Sequence, residues 1–248
     1  MSAKVVALAG ADGYVGKAFV DAFLNLNAFQ IRILVRTESN ELYQNLVKAL
    51  HGADVLISTV AAAGLASAQI PLIKAAKQAG IKVFFPSEYG ANFPATRFPF
   101  LQVKNDVVQA ARDHELPVAI LNNGPFPEYT FTHPFSSSLG ISFADRKVTI
   151  WGEGNTKITW TTVHSVASWL ANVLKSVPVS QLQNKQLQIQ GSVHTLNEVV
   201  KLWEQKNNDK LQVEYRPVKE VEDRYAHFDR NDNVLYPQWK PETVESVL

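Results

Sequence analysis

The first half of the chain alternates short apolar runs with stretches in which apolar residues recur at helical spacing. The helical stripes predict helices near residues 15–23, 42–50, 67–78 and 103–111, with Ser67 capping the third helix and Gly80 ending it. Buried strands that alternate with helices require a parallel sheet covered on both faces, so the expected fold is α/β, a doubly wound parallel sheet. The apolar runs predict its strands at Val5–Ala9, Ile31–Val35, Val55–Val60, Val83–Phe85 and Pro117–Leu121.

The second half of the chain has a looser pattern. Three prolines between positions 125 and 134 interrupt an aromatic-rich stretch, and Gly152–Gly154 predicts the turn of a hairpin. Further helices are predicted near 166–174 and 196–203, with a strand at 187–189. We therefore expect residues 1–124 to form the sheet domain and residues 125–248 a smaller α+β cap. The cap is expected to return partly to the sheet, so that the chain forms a single structural unit.

A glycine-rich loop, GADGYVG at residues 10–16, joins the first predicted strand to the first predicted helix. Strand, glycine turn and helix in this order are typical of a dinucleotide-binding site. Gly10 would permit the sharp turn, Gly13 would let backbone N–H groups approach the pyrophosphate, and Gly16 would let the helix pack close to its strand. The partial positive charge of the helix N-terminus favours the same ligand. The alternative is an ordinary glycine turn.

The end of the second predicted strand indicates which dinucleotide binds. An acidic residue at this position binds the ribose hydroxyls of NAD, whereas a basic residue pairs with the 2′-phosphate of NADP. Here the residue is Arg36, twenty positions after Gly16, and no carboxylate occurs before Glu38. A guanidinium forms bidentate, charge-assisted bonds to phosphate, so the sequence predicts NADP(H). The alternative is a solvated arginine at a strand end.

The remaining candidate residues follow the carboxyl ends of the predicted strands, where ligands of such sheets bind. Residues after the third and fifth strands are expected to line the cofactor: Thr59, Val60, Ala61, Asn123, Gly124 and Phe126. Residues after the fourth strand and in the aromatic stretch are expected to contact substrate: Ser87, Glu88, Tyr89, Tyr129 and His133. For Glu88 we weigh this against a structural carboxylate that binds backbone N–H groups of its own loop.

Lys104, near the start of the fourth predicted helix, is the candidate catalytic residue. A lysine there is expected to hold the hydroxyls of the nicotinamide ribose. The positive charge of the oxidised cofactor would lower the pKa of Lys104 and make proton transfer feasible. The alternative is a lysine that is merely solvated near a helix start.

Composition excludes several other classes of function. With 46% hydrophobic residues, 19% charged residues and a net charge of +1, the chain has no feature that favours nucleic acid or a membrane as partner. It has no cysteine, which excludes disulfides and thiolate chemistry, and its histidines lack the spacing of a metal site. No apolar stretch is long enough to span a bilayer, and the early first strand leaves no room for a signal peptide. We expect a cytoplasmic protein without a metal.

Several of these segments together resemble a known family. GADGYVG, the Val-Arg end of the second strand, IPLIKAAKQAGIKVFFPSEYG, Lys104 and WGEGNTKITWTTVHSVASWL are similar to the NmrA-like branch of the atypical short-chain dehydrogenases. Within that branch they most resemble the isoflavone-reductase-like proteins. The resemblance covers most of residues 4–205 and implies an NAD(P)-binding Rossmann fold, with Lys104 matching the catalytic lysine. It further implies contacts to NADP(H) from Gly10, Asp12, Gly13, Tyr14, Val15 and Arg36.

Three departures qualify the resemblance. Conventional short-chain dehydrogenases have tyrosine four residues before the lysine, where this chain has Phe100, which has no proton to donate. The isoflavone-reductase-like members also lack that tyrosine. The link from Arg36 to Ala53 is shorter than is usual in the family, which often has an extra short strand there, so we expect a shallower adenosine pocket. The C-terminal portion is compact, which predicts a thin roof over the substrate.

The favoured function is an NADPH-dependent reductase of a small apolar or aromatic carbonyl or enone. Hydride would come from C4 of the nicotinamide, and Lys104 would supply or relay the proton. The absence of tyrosine at position 100 motivates a second hypothesis, a non-enzymatic NADP(H) sensor that engages a regulatory protein. A third is an epimerase or dehydratase that retains its cofactor. A small-molecule substrate is the expected partner of an enzyme, and the oligomeric state is left open.

Overall fold

The structure is a computed structural model that describes residues 1–35, 42–91, 101–132, 136, 139–217 and 232–248. The chain divides into two compact units. Unit 1 comprises Met1–Glu88, Pro94–Leu121 and Ala167–Leu187. Unit 2 comprises Tyr89–Phe93, Asn122–Val166 and Gln188–Leu248. The domain boundary near residue 124 stays a prediction.

The core of unit 1 is a parallel sheet in the order β2-β1-β3-β4. A parallel bridge from Phe84 to Val118 connects β4 to the segment that leads into β5, and β5 pairs with β9. The predicted α/β class with a parallel sheet is thus confirmed, and each predicted strand of the first half lies within about two residues of an observed strand. The strands are β1 Val5–Ala9, β2 Gln30–Leu34, β3 Val55–Ser58, β4 Val83–Phe85, β5 Ala119–Asn122 and β9 Lys185–Gln188.

Both faces of this sheet are buried. On β1, Ala7 belongs to a core cluster that also contains Ile73 and Val107 from the helices on that side. Successive side chains of a strand alternate between faces, so Val6 and Leu8 point to the opposite face. Both are fully buried there as well. The helices are α1 Tyr14–Leu26, α2 Leu42–Leu50, α3 Leu65–Ala79, α4 Gln102–Asp113, α5 Val163–Ser176 and α6 Val179–Leu182.

The strand β2 forms one margin of the sheet. Among the described residues its neighbour is β1 alone, and two apolar side chains at its end are exposed, Ile33 at 49% and Val35 at 75%. The link that follows β2 includes residues 36–41, which lie outside the described part of the chain.

The predicted N-cap of α3 is wrong, whereas its predicted end is confirmed. The helix begins at Leu65, with Gly64 and not Ser67 at its N-cap. A short 3-10 helix, Ala62–Gly64, runs directly into α3 and already forms a backbone bond from Gly64 to Ala61. The helix therefore propagates without a side-chain cap. At the other end, Gly80 adopts a φ of 79° and donates to the carbonyls of the last turn.

The described residues of unit 2 form two small sheets. One has the order β11-β7-β6, in which β7 pairs in parallel with β11 and antiparallel with β6. The other pairs β8 with β10 antiparallel. Trp160 and Trp203 lie in the core cluster of this unit. The elements are β6 Ile141–Ser142, β7 Lys147–Trp151, β8 Ile158–Trp160, β10 Ser192–His194, α7 Leu196–Asn207 and β11 Gln212–Arg216.

The predicted hairpin at Gly152–Gly154 is wrong. The strands on either side of this turn, β7 and β8, pair with different partners and not with each other. The turn is instead held by Asn197 at the start of α7. The Asn197 side-chain amide donates to the carbonyl of Glu153 at 2.8 Å, and its backbone N–H donates to Gly154. In the described residues no helix is both long and apolar enough to cross a membrane.

Asp54 ties together the starts of three parallel strands. Its carboxylate accepts from the backbone N–H groups of Lys4 and Val5 at 2.8 and 3.0 Å and from the Lys82 ammonium at 2.5 Å. Burial alone would raise the pKa of Asp54. The bonds from Lys82, Lys4 and Val5 outweigh burial and hold the pKa below its ordinary value.

We expect Asp54→Asn to lower the free energy of unfolding by about 1–3 kcal/mol at neutral pH, since it removes a charged acceptor shared by three donors. Because the folded-state pKa is depressed, this stabilisation is present at neutral pH and is lost as the pH falls through the folded-state pKa. The difference from wild type should therefore shrink below about pH 3.8, the ordinary value. Urea unfolding at a series of pH values measures it, with the exposed Asp113→Asn as control. A difference independent of pH would contradict this role.

Candidate functional site

Two of the three loop glycines are required by the protein's own backbone. Gly10 has a φ of +83°, and a Cβ at this position would lie 2.8 Å from the carbonyl carbon of Thr59. A Cβ at Gly16 would overlap the carbonyl oxygen of Gly10 and lie 2.8 Å from the Cα of Ala11. Gly16 thus permits close approach of α1 to the loop itself. Gly13 differs, because its φ is −73° and an added Cβ would meet only the Gly10 oxygen, at an ordinary 3.4 Å.

Thr59, at the end of β3, holds the shape of the loop. Its backbone N–H donates to the carbonyl of Ala9 at 2.8 Å. Its hydroxyl lies 3.0 Å from the carbonyl oxygens of both Ala9 and Gly10, and so shares its proton between them. The hydroxyl is therefore occupied within the protein, and Thr59 acts by fixing the loop.

The outer side of the loop is accessible to a ligand. The helix α1 has no side-chain cap and no acidic residue in its first turn, so its partial positive charge is not offset there by a carboxylate. The other residues expected to contact the nucleotide also lie here: Asp12, Gly13 and Tyr14 are exposed, and Val15 is half-buried.

Ser87, just after β4, forms hydrogen bonds to the segment that follows β3 and to α3. Its hydroxyl donates to the carbonyl of Val60 at 2.9 Å, and its backbone N–H donates to the side-chain oxygen of Gln69 at 2.9 Å. Gln69 is itself buried and donates to Leu65 within α3. The Ser87 hydroxyl is thus used internally, while Ala61, beyond Val60, is exposed.

Gln69 was missed by the sequence reasoning, although a signal was present. It is a polar residue within the apolar stripe of the third helix, spaced four residues after Leu65 and four before Ile73. A polar side chain on a buried face needs a partner, and the two bonds to Ser87 and Leu65 supply it.

Glu88 and Lys104 form a largely buried ion pair in unit 1. The Lys104 Nζ lies 3.8 Å from Oε2 of Glu88, and the two side chains are 19% and 13% exposed. Burial lowers the pKa of Lys104, and the Glu88 carboxylate opposes that change. Burial likewise raises the pKa of Glu88 against the influence of Lys104. Groups perturbed in this way are candidates for proton transfer.

The residues that follow β5 are held by bonds within unit 2. The Asn123 side-chain oxygen accepts from the N–H of Gly90 at 3.0 Å, and its amide nitrogen donates to the carbonyl of Gly124 at 2.8 Å. Thr161 donates its hydroxyl to the Asn123 carbonyl. Gly124 has a φ of +71°, and a Cβ there would overlap the carbonyl oxygen of Thr159. Asn123 and Gly124 therefore have structural roles independent of any ligand.

Aromatic and acidic side chains lie close together just after this segment. The rings of Phe126 and Tyr129 are 6.1 Å apart, and both residues are half-buried. Burial raises the pKa of Tyr129, and Glu128 raises it further. Burial also raises the pKa of Tyr89, in the same unit. Neither tyrosine is thus predisposed to ionise at neutral pH.

Glu128 is a second residue that the sequence reasoning missed. Its Oε1 accepts from the backbone N–H of Val163 at 2.8 Å and so caps the start of α5. Burial raises its pKa, and the nearby Glu242 carboxylate raises it as well, although bonds to backbone N–H groups act in the opposite direction. This contact adds to the local N-cap, in which the Thr162 hydroxyl accepts from the N–H of Ser165 at 3.1 Å. Glu128 lies 35 positions before Val163, so no local pattern reveals its contribution.

Two of the candidate residues, Arg36 and His133, lie outside the described residues, as does Phe100. Their roles stay predictions from the sequence. The described candidates in unit 1 are the glycine loop, Thr59, Val60, Ala61, Ser87, Glu88 and Lys104, and among these the structure pairs Glu88 with Lys104.

The known proteins to which this chain is similar include several that are named as reductases. A phenylcoumaran benzylic ether reductase of Pinus taeda is 28% identical over 250 residues, which span 87% of this chain and 79% of that protein. An isoflavone reductase homolog of Solanum tuberosum is 33% identical over 187 residues, spanning 72% of this chain and 59% of the relative. The complex of leucoanthocyanidin reductase with NADPH from Vitis vinifera has a similar fold. Its TM-score is 0.75 at 19% identity, and the match covers 98% of this chain and 97% of that one.

Family membership follows from the extent of the match. Residues 40–232, most of the chain, match the model of the NmrA-like family. The resemblance inferred from the motifs is thereby confirmed, and the chain shares its fold with the leucoanthocyanidin reductase structure. The chain belongs to the NmrA-like family.

Proposed function

We propose that the protein is an NADP(H)-dependent reductase of a small apolar or aromatic substrate with a carbonyl or activated alkene. The observation that carries the proposal is the largely buried Glu88–Lys104 pair in the same unit as the glycine loop. A buried lysine with a perturbed pKa is suited to hold and release a proton. The relatives that the chain matches are named as reductases of aromatic compounds, which favours the same class of substrate.

The loop residues fit a dinucleotide. Gly10 and Gly16 keep the loop tight, while nothing in the described protein requires the absence of a side chain at Gly13. That position is therefore best explained by a ligand that approaches the backbone closely. The N-terminus of α1, without an acidic side chain in its first turn, is suited to the pyrophosphate. We assign the 2′-phosphate to Arg36 and the nicotinamide ribose to Lys104.

The chemistry divides between cofactor and protein. When bound, the reduced nicotinamide supplies a hydride. Lys104 holds a proton at Nζ and delivers it, directly or through one water, to the substrate atom that gains negative charge. A carbonyl thus gains the hydride at carbon and the proton at oxygen, and no further reductant is needed. Burial brings the pKa of Lys104 closer to neutrality, which favours release of that proton.

The direct test is oxidation of NADPH by the purified protein with a panel of substrates. The panel contains aromatic ketones, enones and isoflavones, each with a carbonyl or an activated alkene, and absorbance at the reduced nicotinamide band follows turnover. We expect at least one aromatic member to be reduced. If no member oxidises NADPH while the nucleotide is shown to bind, the reductase proposal fails.

Arg36 is expected to set the preference for NADPH over NADH. A hydrogen bond to a charged group contributes about 1.5–3 kcal/mol, so Arg36→Ala should weaken NADPH binding by about 10- to 100-fold and leave NADH binding nearly unchanged. Titration calorimetry with both nucleotides measures the ratio. The matched control is Arg32→Ala in β2, because Arg32 donates to the carbonyls of Ala49 and His51. A wild-type protein that binds both nucleotides equally would refute the assignment.

A further inference from the structure

The backbone that carries Glu88 is fixed on several sides. The preceding residue, Ser87, is bonded through its N–H to Gln69 and through its hydroxyl to Val60. The N–H of Glu88 donates to the carbonyl of Pro86 at 2.8 Å. These bonds fix the backbone at Glu88 and so restrict the positions that its carboxylate can adopt.

The position of Lys104 is unfavourable for a cation on its own. The residue lies in the first turn of α4, whose N-terminal end has a partial positive charge, and no acidic residue occurs in that turn. The side chain is also 81% removed from solvent, as its 19% exposure shows. Both factors oppose the charged form of Lys104, so a specific counter-charge is needed to retain it.

The distance between the two groups matters for function. At 3.8 Å, Nζ and Oε2 attract each other as charges but lie beyond hydrogen-bond distance. Within the described residues no acceptor lies within hydrogen-bond distance of the Lys104 ammonium, so none of its three N–H donors is used by that part of the chain. The exposed pair of Lys77 and Glu115, by contrast, is in direct contact at 3.2 Å.

We propose that Glu88 is a positioning residue that keeps Lys104 protonated and directed toward the ligand without occupying its N–H donors. The assignment rests on the proposed function of Lys104 and adds to it a second residue, which acts through the lysine. It replaces the two interpretations of Glu88 drawn from the sequence, a direct substrate contact and a carboxylate that binds its own loop.

Other charged groups near Lys104 are engaged elsewhere or exposed. On α4, Asp106 accepts from Gln102 at 2.8 Å. On α3, which packs against α4, Lys74 is exposed and Lys77 pairs with Glu115. Among the described residues, Glu88 is the charged group that acts on the pKa of Lys104. A change in Glu88 should therefore appear directly in the titration of Lys104.

The test is Glu88→Gln, which removes the charge and keeps the size. The alkaline limb of the kcat/KM profile should move to lower pH by about 1–3 units, because a neighbouring opposite charge shifts a pKa by about that amount. Activity should return toward the wild-type level as the pH is lowered and Lys104 regains its proton. A structural defect would instead reduce activity at every pH. A uniform loss, or no change, would overturn the proposal.

Two further variants sharpen the result. Glu88→Asp keeps the charge but moves it away from Lys104 by one methylene, so the alkaline limb should shift in the same direction by a smaller amount. This variant replaces Glu88→Gln in the test if the glutamine variant fails to fold. Glu115→Gln is the matched control, because it removes the carboxylate of an ion pair whose glutamate is 85% exposed. The control should leave the pH profile unchanged.

A measurement that does not depend on turnover can test the role of Glu88 independently of the proposed reductase activity. Competitive acetylation of the whole protein over a range of pH, followed by mass spectrometry of the Lys104 peptide, reports the fraction of unprotonated lysine. In Glu88→Gln this titration should move to lower pH. If it moves although no substrate is ever reduced, the reductase proposal fails, while the influence of Glu88 on the protonation of Lys104 stands. If it does not move, the Glu88 assignment is wrong whatever the activity.

Discussion

Lys104→Ala is expected to lower kcat by about 100- to 10,000-fold, the usual contribution of a positioned acid or base. The variant should still bind NADPH, because the glycine loop and Arg36 are unchanged, although the loss of a ribose contact should weaken binding somewhat. Stopped-flow measurement of hydride transfer together with calorimetry distinguishes the two effects. The control is Lys77→Ala, which removes a half-exposed lysine of the same unit from its surface ion pair.

The same variant separates the reductase from the sensor hypothesis. A sensor would have no turnover to lose and should change only in nucleotide affinity. It should also bind NADP⁺ and NADPH with different affinities, since only a difference in affinity can shift a conformational equilibrium. Equal affinity for the two forms, together with absent turnover, would contradict the redox sensor as well as the reductase.

Gly16→Ala is expected to destabilise the protein by about 3 kcal/mol, at the upper end of the cost of overpacking. The added methyl would overlap the Gly10 carbonyl and approach the Cα of Ala11 to 2.8 Å, and both are backbone atoms that cannot rotate away. This loss should outweigh the gain of about 1 kcal/mol that alanine brings to a helix. Urea unfolding measures the change.

Gly13→Ala is the matched variant within the same loop. Its Cβ meets an ordinary contact and its φ is allowed for alanine, so stability should change by less than about 1 kcal/mol. NADPH binding should nevertheless weaken by about tenfold or more, a loss of about 1.4 kcal/mol, because the methyl would hold the pyrophosphate away from the backbone. A Gly13→Ala protein that binds NADPH normally would contradict the role of this loop.

The elements of the sheet could be predicted because their signals are local. Residues 5–9 are an uninterrupted apolar run bounded by Lys4 and Gly10, and β1 has the same limits in the structure. The hairpin at Gly152–Gly154 was wrongly predicted because a glycine turn does not reveal which strands pair. The deciding contact comes from Asn197, more than forty residues away, and such contacts leave no periodic trace in the sequence.

The sequence predicted which residues belong to the candidate site, but not that Glu88 and Lys104 form an ion pair. Glu88 and Lys104 were each recognised from their positions after a strand and near a helix start. Their mutual distance depends on the segment between them and on the rigid attachment of Ser87 to Gln69. Sequence patterns do not report such tertiary contacts, which is why the carboxylate was assigned to substrate or to its own loop.

Because β2 lies at the margin of the sheet, the link that follows it can differ in length with little effect on the inner strands. Among the described strands β2 is hydrogen-bonded on one side only, so a change in the link beside it does not interrupt the pairing of the inner strands. The short link after Leu34 begins at this margin, away from the inner strands β3 and β4, which end just before Thr59 and Glu88. We therefore expect a change in the length of this link to alter the adenosine end of the proposed nucleotide site and to leave the Glu88–Lys104 pair unchanged.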